Sequence, residues 1–236
     1  MLQSIKKLYG DKLGASDGDL GHVKDFYFDD QNWVVRYLVA DTGTWLPGRQ
    51  VLISPHSLGG LSRHGKVLAV KLTRKQIEES PSIDSHKPIS RQYEEEFYRF
   101  YGWDYYWDGD ALWGKSGFPL LDLPPDNLSR GPTSPNRSQP ERRDAHLRST
   151  QAVGGYHLEA SDGTTGHVAD FLINTQSWAI SHLVIKTGHR LSGKEVQILT
   201  SKVVRISYDQ STVVVDLTRN AVEESPVHEL AAVGTA

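Results

Sequence analysis

The chain contains no cysteine. A disulfide framework, a thiolate nucleophile and any cysteine-based zinc or iron–sulfur centre are therefore excluded. Long hydrophobic runs are missing too, and no window approaches the roughly 18 apolar residues of a membrane-spanning helix. The opening residues, Met1-Leu-Gln-Ser-Ile-Lys-Lys-Leu8, lack the apolar core of a secretory signal. The compartment expected on these grounds is the cytoplasm. Nor is there an excess of charge of one sign. Lys and Arg number 26 against 29 Asp and Glu, for a formal net charge of −3. No basic field favours nucleic acid or anionic lipid as a partner. Catalytic signatures are absent as well: no P-loop, Gly-x-Gly-x-x-Gly, Ser/His/Asp order or glycosidase-like carboxylate pair stands in a credible setting. The chain reads as a non-enzyme with no cofactor.

What is present is a duplication. Ala15-Ser-Asp-Gly-Asp-Leu-Gly-His-Val-Lys-Asp-Phe26 returns as Ala160-Ser-Asp-Gly-Thr-Thr-Gly-His-Val-Ala-Asp-Phe171. The offset of 145 residues holds without a gap from Ala15/Ala160 to Pro81/Pro226. It carries Trp33/Trp178, Leu38-Val39/Leu183-Val184, Thr42-Gly43/Thr187-Gly188 and Leu72-Thr-Arg74/Leu217-Thr-Arg219. A weaker match reaches back to Ser4/Ser149. A repeat of this length is a duplicated domain, since solenoid periods run to roughly 50 residues at most.

Within each copy the pattern is β. His22–Phe28 alternates, Asp29-Asp-Gln-Asn32 makes a turn, Val34–Ala40 is a long apolar strand and Arg49–Ile53 is short. Leu58–Arg63 and Lys66–Leu72 read as a hairpin. Short strands with frequent turn signals predict a small barrel or sandwich. Thr73 and Thr218 then open a short helix that stops by Pro81 and Pro226, with Ile77 and Val222 placed to seal one end of the barrel.

The order Gly-His-Val-x-Asp-Phe, turn, Trp, Leu-Val, Thr-Gly, Gly-(Arg/Lys)-x-Val-x-Ile, hairpin, Leu-Thr-Arg, Glu-Ser-Pro resembles the PRC-barrel family. That family includes the cytoplasmic part of the photosynthetic reaction-centre H subunit and the C-terminal domain of a ribosome-maturation factor. The resemblance implies a compact β-barrel that docks on proteins and brings no catalytic residues with it. No stretch resembles the membrane-anchoring helix of the H subunit or the partner domain that precedes the barrel of the ribosome-maturation factor. Neither of those functions is carried over. Two barrels with an aromatic insert are most similar to bacterial members of the family.

The expected architecture is all-β dominated: two small PRC-type β-barrels, each closed by a short C-terminal helix, with an insert and a linker between them. Residues 4–85 form the first barrel and 149–230 the second. Residues 86–113 are an aromatic-rich insert in which Ser90 caps a helix that stops at Gly102, with Tyr93, Phe97, Phe100, Tyr101 and Asp104 near one face and Glu94, Glu95 and Arg99 elsewhere. Ten of the 22 aromatic residues fall between Tyr93 and Trp113. Residues 114–148 are a linker, with six of the eleven prolines.

Tyr98, Tyr101, Trp103, Tyr105, Tyr106, Trp107 and Trp113 are the candidate partner-binding residues, because Tyr and Trp combine large contact area with a polar tip. The competing readings are that they pack on the barrels and cement the two repeats together, or that they stack on sugars or bases. Gly21, His22, Asp25 and their matches Gly166, His167 and Asp170 form the structural signature of the repeat. The two histidines suit a turn-stabilising or hydrogen-bonding role, and the aspartates a hydrogen bond to a loop. The histidines lack metal-ligand spacing, and a cation held by Asp25 with Asp29 or Asp30 would meet Asn174-Thr175 in the second copy, so no metal is expected. His56, His64, His182 and His189 read as surface, and Arg74 and Arg219 as salt-bridge partners of the terminal helix. The function expected is a non-enzymatic adaptor or scaffold for a larger protein assembly, the barrels pairing within the chain or as a homodimer. A small-ligand or ion-binding module and a self-associating structural, stress-related protein are the alternatives.

Overall fold

The computed structural model describes residues 1–47, 49–61, 67–81, 89–119, 147–188 and 193–228. The first copy supplies strands β1 (Leu2–Ser4), β2 (Lys12–Ala15), β3 (Gly18–Asp29), β4 (Val34–Asp41), β5 (Gln50–Ile53), β6 (Leu58–Leu61) and β7 (Val67–Val70). Helices α1 (Arg74–Glu79) and α2 (Arg91–Tyr101) follow. The second copy supplies β8 (Leu147–Ser149), α3 (Thr150–Val153), β9 (His157–Ala160), β10 (Gly163–Asn174), β11 (Ile180–Lys186), β12 (Glu195–Leu199), β13 (Val203–Ser207), β14 (Thr212–Val215) and α4 (Arg219–Glu223).

The strands make two mixed sheets. One runs β5-β4-β3-β2-β7-β6, the other β12-β11-β10-β9-β14-β13. Pairing is antiparallel except for β2 with β7 and β9 with β14, which are parallel. The expected closed barrel is not formed among the described residues. Among the described residues β5 and β6, like β12 and β13, share no ladder, because the chain between each pair is a 3₁₀ turn (Pro55–Ser57, Thr200–Lys202). β4 is buried from Val34 to Ala40, so both of its faces lie in the core and its sequence is an apolar run interrupted by Arg36. β7 and β9 bury alternate residues, as strands with one solvated face do.

The repeated sequence words have repeated jobs. Asp17 Oδ1 accepts from the Arg74 backbone N–H at 2.8 Å, and Asp162 Oδ1 from that of Arg219 at 2.7 Å. Thr73 and Thr218 cap the same helix starts through Gln76 N–H (3.1 Å) and Ala221 N–H (3.2 Å). Ile77 and Val222 are fully buried beneath those helices. The arginines differ between copies: Arg219 Nε lies 3.7 Å from Asp162, whereas the Arg74 guanidinium packs 4.5 Å from the Trp45 ring centroid. Gly21 (φ +106°) and Gly166 (φ +65°) are required on two counts. A Cβ there would be strained by the backbone and would run into the carbonyl oxygen of Asp41 or Lys186.

The chain divides into two compact units, and these are not the two sequence repeats. Unit 1 comprises Met1, Leu8–Ser149 and Thr175–Ala179; unit 2 comprises Leu2–Lys7, Thr150–Asn174 and Ile180–Ala236. In unit 2, β1 adds to β10 with Leu2, Gln3 and Ser4 opposite Asn174, Ile173 and Leu172. In unit 1, β8 adds to β3 with Leu147, Arg148 and Ser149 opposite Asp29, Phe28 and Tyr27. Each unit thus contains the leading strand of the other repeat. The insert that the sequence sets apart as 86–113 folds within unit 1. The linker lies outside the described residues from position 120 to 146.

Candidate functional site

α2 begins where Ser90 Oγ accepts from the Tyr93 N–H at 3.2 Å and ends at Gly102 in the left-handed conformation, φ +68°. Its inner face is Glu94, Phe97 and Tyr98, all essentially without exposure. Phe97 meets Tyr37 of β4 edge-on at 5.5 Å between centroids. Glu94 is therefore not on the outer face that the sequence suggests. A carboxylate tolerates that burial only when its oxygens are fully paired. Here Oε1 accepts from the Tyr37 hydroxyl at 3.0 Å and the Tyr106 hydroxyl at 2.8 Å, and Oε2 lies 3.2 Å from the Arg91 guanidinium. Burial first, and the Glu94 charge second, pushes the Tyr37 and Tyr106 hydroxyls well above their ordinary range.

A second buried charge lies beside the first. Arg36 is 1 % exposed inside β4. It pairs with Asp29 Oδ2 at 3.2 Å, donates to the Leu112 carbonyl at 2.5 Å and stacks 3.8 Å from the Tyr106 ring centroid. Burial alone would raise Asp29, but the Asn32 side chain, the Arg36 charge and the backbone N–H groups of Asn32 and Gln31 outweigh it and hold the carboxyl below its usual value. The corresponding positions of the second copy are Ser181 and Asn174, so the pair is special to the copy that carries the insert.

His56 closes the cluster. Its ring stacks on Trp103 (5.3 Å, 19°) and meets Trp113 edge-on at 4.9 Å, while Nδ1 lies 3.0 Å from Ser54 Oγ. The surface position expected for His56 is thus corrected, because the insert packs over the turn that carries it. Burial, with the Arg36 charge second, pushes it down to about 4. His182 is half-buried, and the same desolvation lowers it less. Trp113 anchors the end of the insert, its Nε1–H donating to the Ser177 carbonyl of unit 1 at 2.8 Å.

On the outside the rings stand in stacked pairs. Tyr101 lies on Trp103 (4.6 Å, 15°) and Tyr105 on Trp107 (4.7 Å, 12°), with the Arg91 guanidinium 4.1 Å from the Trp107 centroid. Both pairs touch the buried Tyr98. Phe100, 39 % exposed, meets Tyr101 edge-on at 4.9 Å. Of the candidate contact residues, Tyr98, Tyr106 and Trp113 are buried and serve as the foundation, while Tyr101, Trp103, Tyr105 and Trp107 are half-exposed. Phe100 and Phe118 are the exposed aromatics that the candidate set omits. An arginine within the apolar run Val34–Ala40 is the signal in the sequence that marks a buried polar cluster.

The repeat signature is structural. Asp25 accepts from the Ser149 hydroxyl and Asp170 from the Ser4 hydroxyl, and each also accepts from the backbone N–H that follows it, at 2.7 Å. His22 is exposed and His167 half-exposed, and among the described residues neither imidazole makes a hydrogen bond. The backbone ladder places them opposite Asp41 and Lys186. His64 and His189 lie outside the described residues. Among the described residues no group of three or more His, Asp or Glu could hold a metal ion, and no helix is long and apolar enough to cross a membrane. Unit 2 carries an open polar depression of about 510 Å³ lined by His157, Glu159, Thr164, Arg205, Gln210 and Thr212.

Compared with known proteins, the chain matches no family model and no curated sequence.

Proposed function

We propose that the protein is a non-enzymatic docking module of two PRC-barrel-type domains, and that its contact face is the outer side of the aromatic insert. The observation that carries this reading is the pair of stacked ring couples, Tyr101–Trp103 and Tyr105–Trp107, seated on the buried polar cluster of Glu94, Tyr37 and Tyr106. Rings fixed in this way lose little conformational freedom when a partner covers them, which is what makes aromatic anchors effective. Asp104, Asp108 and Asp110 are exposed along the same segment. Their charge favours a protein partner with a basic, apolar face and disfavours nucleic acid.

The test is a photo-crosslinking residue at the exposed position Asp108 in cells, in the parent and in a protein that also carries Phe100→Glu with Asp104→Lys. A partner captured by the first and lost in the second, yet kept by the unit 2 surface change Val204→Glu, supports the reading. Equal capture by all three proteins refutes it. The depression in unit 2 favours a second reading, a site for a small anion beside Arg205 and His157. A rise in melting temperature with inorganic phosphate, abolished by Arg205→Ala, is its test.

A further inference from the structure

The two leading strands are bound by the same device. In unit 2 the Ile5 N–H donates to the Phe171 carbonyl at 3.0 Å, and Ile5 itself is fully buried. The Ser4 hydroxyl and the Lys6 N–H (2.9 Å) then occupy the two oxygens of Asp170. In unit 1 the Ser149 hydroxyl occupies Asp25, and Arg148 Nε reaches Asp30 at 2.5 Å. Both donors carry Leu-x-Ser, both acceptors carry an aspartate at the same ladder position, and the offset of 145 relates the two sets residue by residue. A bare strand edge pairs with any extended chain. An edge with a carboxylate clasp selects a segment that brings a hydroxyl to that point.

We infer that the edges of β3 and β10 are strand-acceptor sites for a Leu-x-Ser segment, and that the intended occupant of each is the leading segment of the sister repeat. Each half of this chain is then the binding partner of the other half. Cleavage between positions 120 and 146 leaves two pieces that remain one complex.

The absence of cysteine makes the test clean. A protease site is placed between 120 and 146 of the full chain, and the folded protein is cut. Size exclusion is expected to return one species of the uncut mass, 26.4 kDa. Leu2 and Asn174 face each other next to a hydrogen-bonded pair, the ladder position where Cα atoms approach to about 4.5 Å and a disulfide fits. Oxidised Leu2→Cys/Asn174→Cys protein, once cut, is expected to run as one band without reductant and as two with it. Ser4→Ala/Ser149→Ala, a change too mild to prevent folding, is expected to weaken reassociation of the cut halves at least tenfold. Two bands without reductant, halves that separate at micromolar concentration, or a double variant that reassociates as tightly as the parent would each overturn the inference. A cross-linked band of twice the mass before cutting would overturn the assignment to the sister repeat of the same chain.

Discussion

Lowering the pH should weaken unit 1 through a single histidine. His56 is enclosed by Trp103, Trp113 and Tyr98, near the Arg36 charge, and burial is the main reason that it stays neutral in the fold down to about pH 4. The unfolded chain takes up the same proton through 6.5, the ordinary value. Because the folded value is the depressed one, the stabilisation is complete above about 6.5, drains away as pH falls through the window and is gone below about 4. The gap corresponds to about 3 kcal/mol. Carboxylates such as Asp29, held below their usual value, act at the lower edge of this window and beneath it. The assay is urea unfolding followed by tryptophan emission. All six tryptophans belong to unit 1, five within Leu8–Ser149 and Trp178 within Thr175–Ala179, so the signal reports this unit alone. Between about pH 7 and about pH 4.5 the parent should lose about 2–3 kcal/mol more than His56→Gln, each measured against its own value at neutral pH. His182 titrates in both proteins and cancels. Parallel stability curves for parent and variant would refute the burial argument.

Glu94→Ala leaves Arg91 and the Tyr37 and Tyr106 hydroxyls without their shared acceptor, and urea melts should show a loss of about 3–5 kcal/mol, with Glu94→Gln costing less. Gly21→Ala combines a backbone strain with a collision against the Asp41 carbonyl, and thermal melts should show a loss well above the roughly 1 kcal/mol expected of Gly10→Ala, where φ is also positive but nothing lies within 4 Å. In single-tryptophan variants, acrylamide should quench Trp103 and Trp107 strongly and leave Trp113 and Trp178 almost untouched, because the latter two are each 4 % exposed. Strong quenching of Trp113 would contradict its anchoring at Ser177.

Much of the fold is legible in the sequence because local chemistry dictates it. Thr73, Thr218, Ser90 and Gly102 stop and start helices by satisfying their own neighbours, and the offset of 145 places every strand of the second copy on its counterpart in the first. What is not legible depends on partners distant in the chain. Whether Ser4 reaches Asp25 or Asp170 leaves the repeat pattern unchanged, so the exchange of leading strands has no signature there. Glu94 looks solvent-bound until Tyr37, Tyr106 and Arg91 are seen to meet at its carboxylate. His56 looks like a loop residue until the insert is laid over it. Closure of a barrel is likewise a property of two strand edges, β5 and β6, that no local pattern couples.

The exchanged strands also bear on how the two copies were free to drift after duplication. A change at Ser4 is felt at Asp170, in the other copy's half of the chain, and a change at Ser149 is felt at Asp25. The hydroxyl and the carboxylate are identical in both copies, whereas the positions matching the neighbouring Arg148–Asp30 ion pair hold Gln3 and Thr175, both neutral. Compensation at these positions therefore runs crosswise: a change in one leading strand is offset by a change in the opposite copy, not in its own.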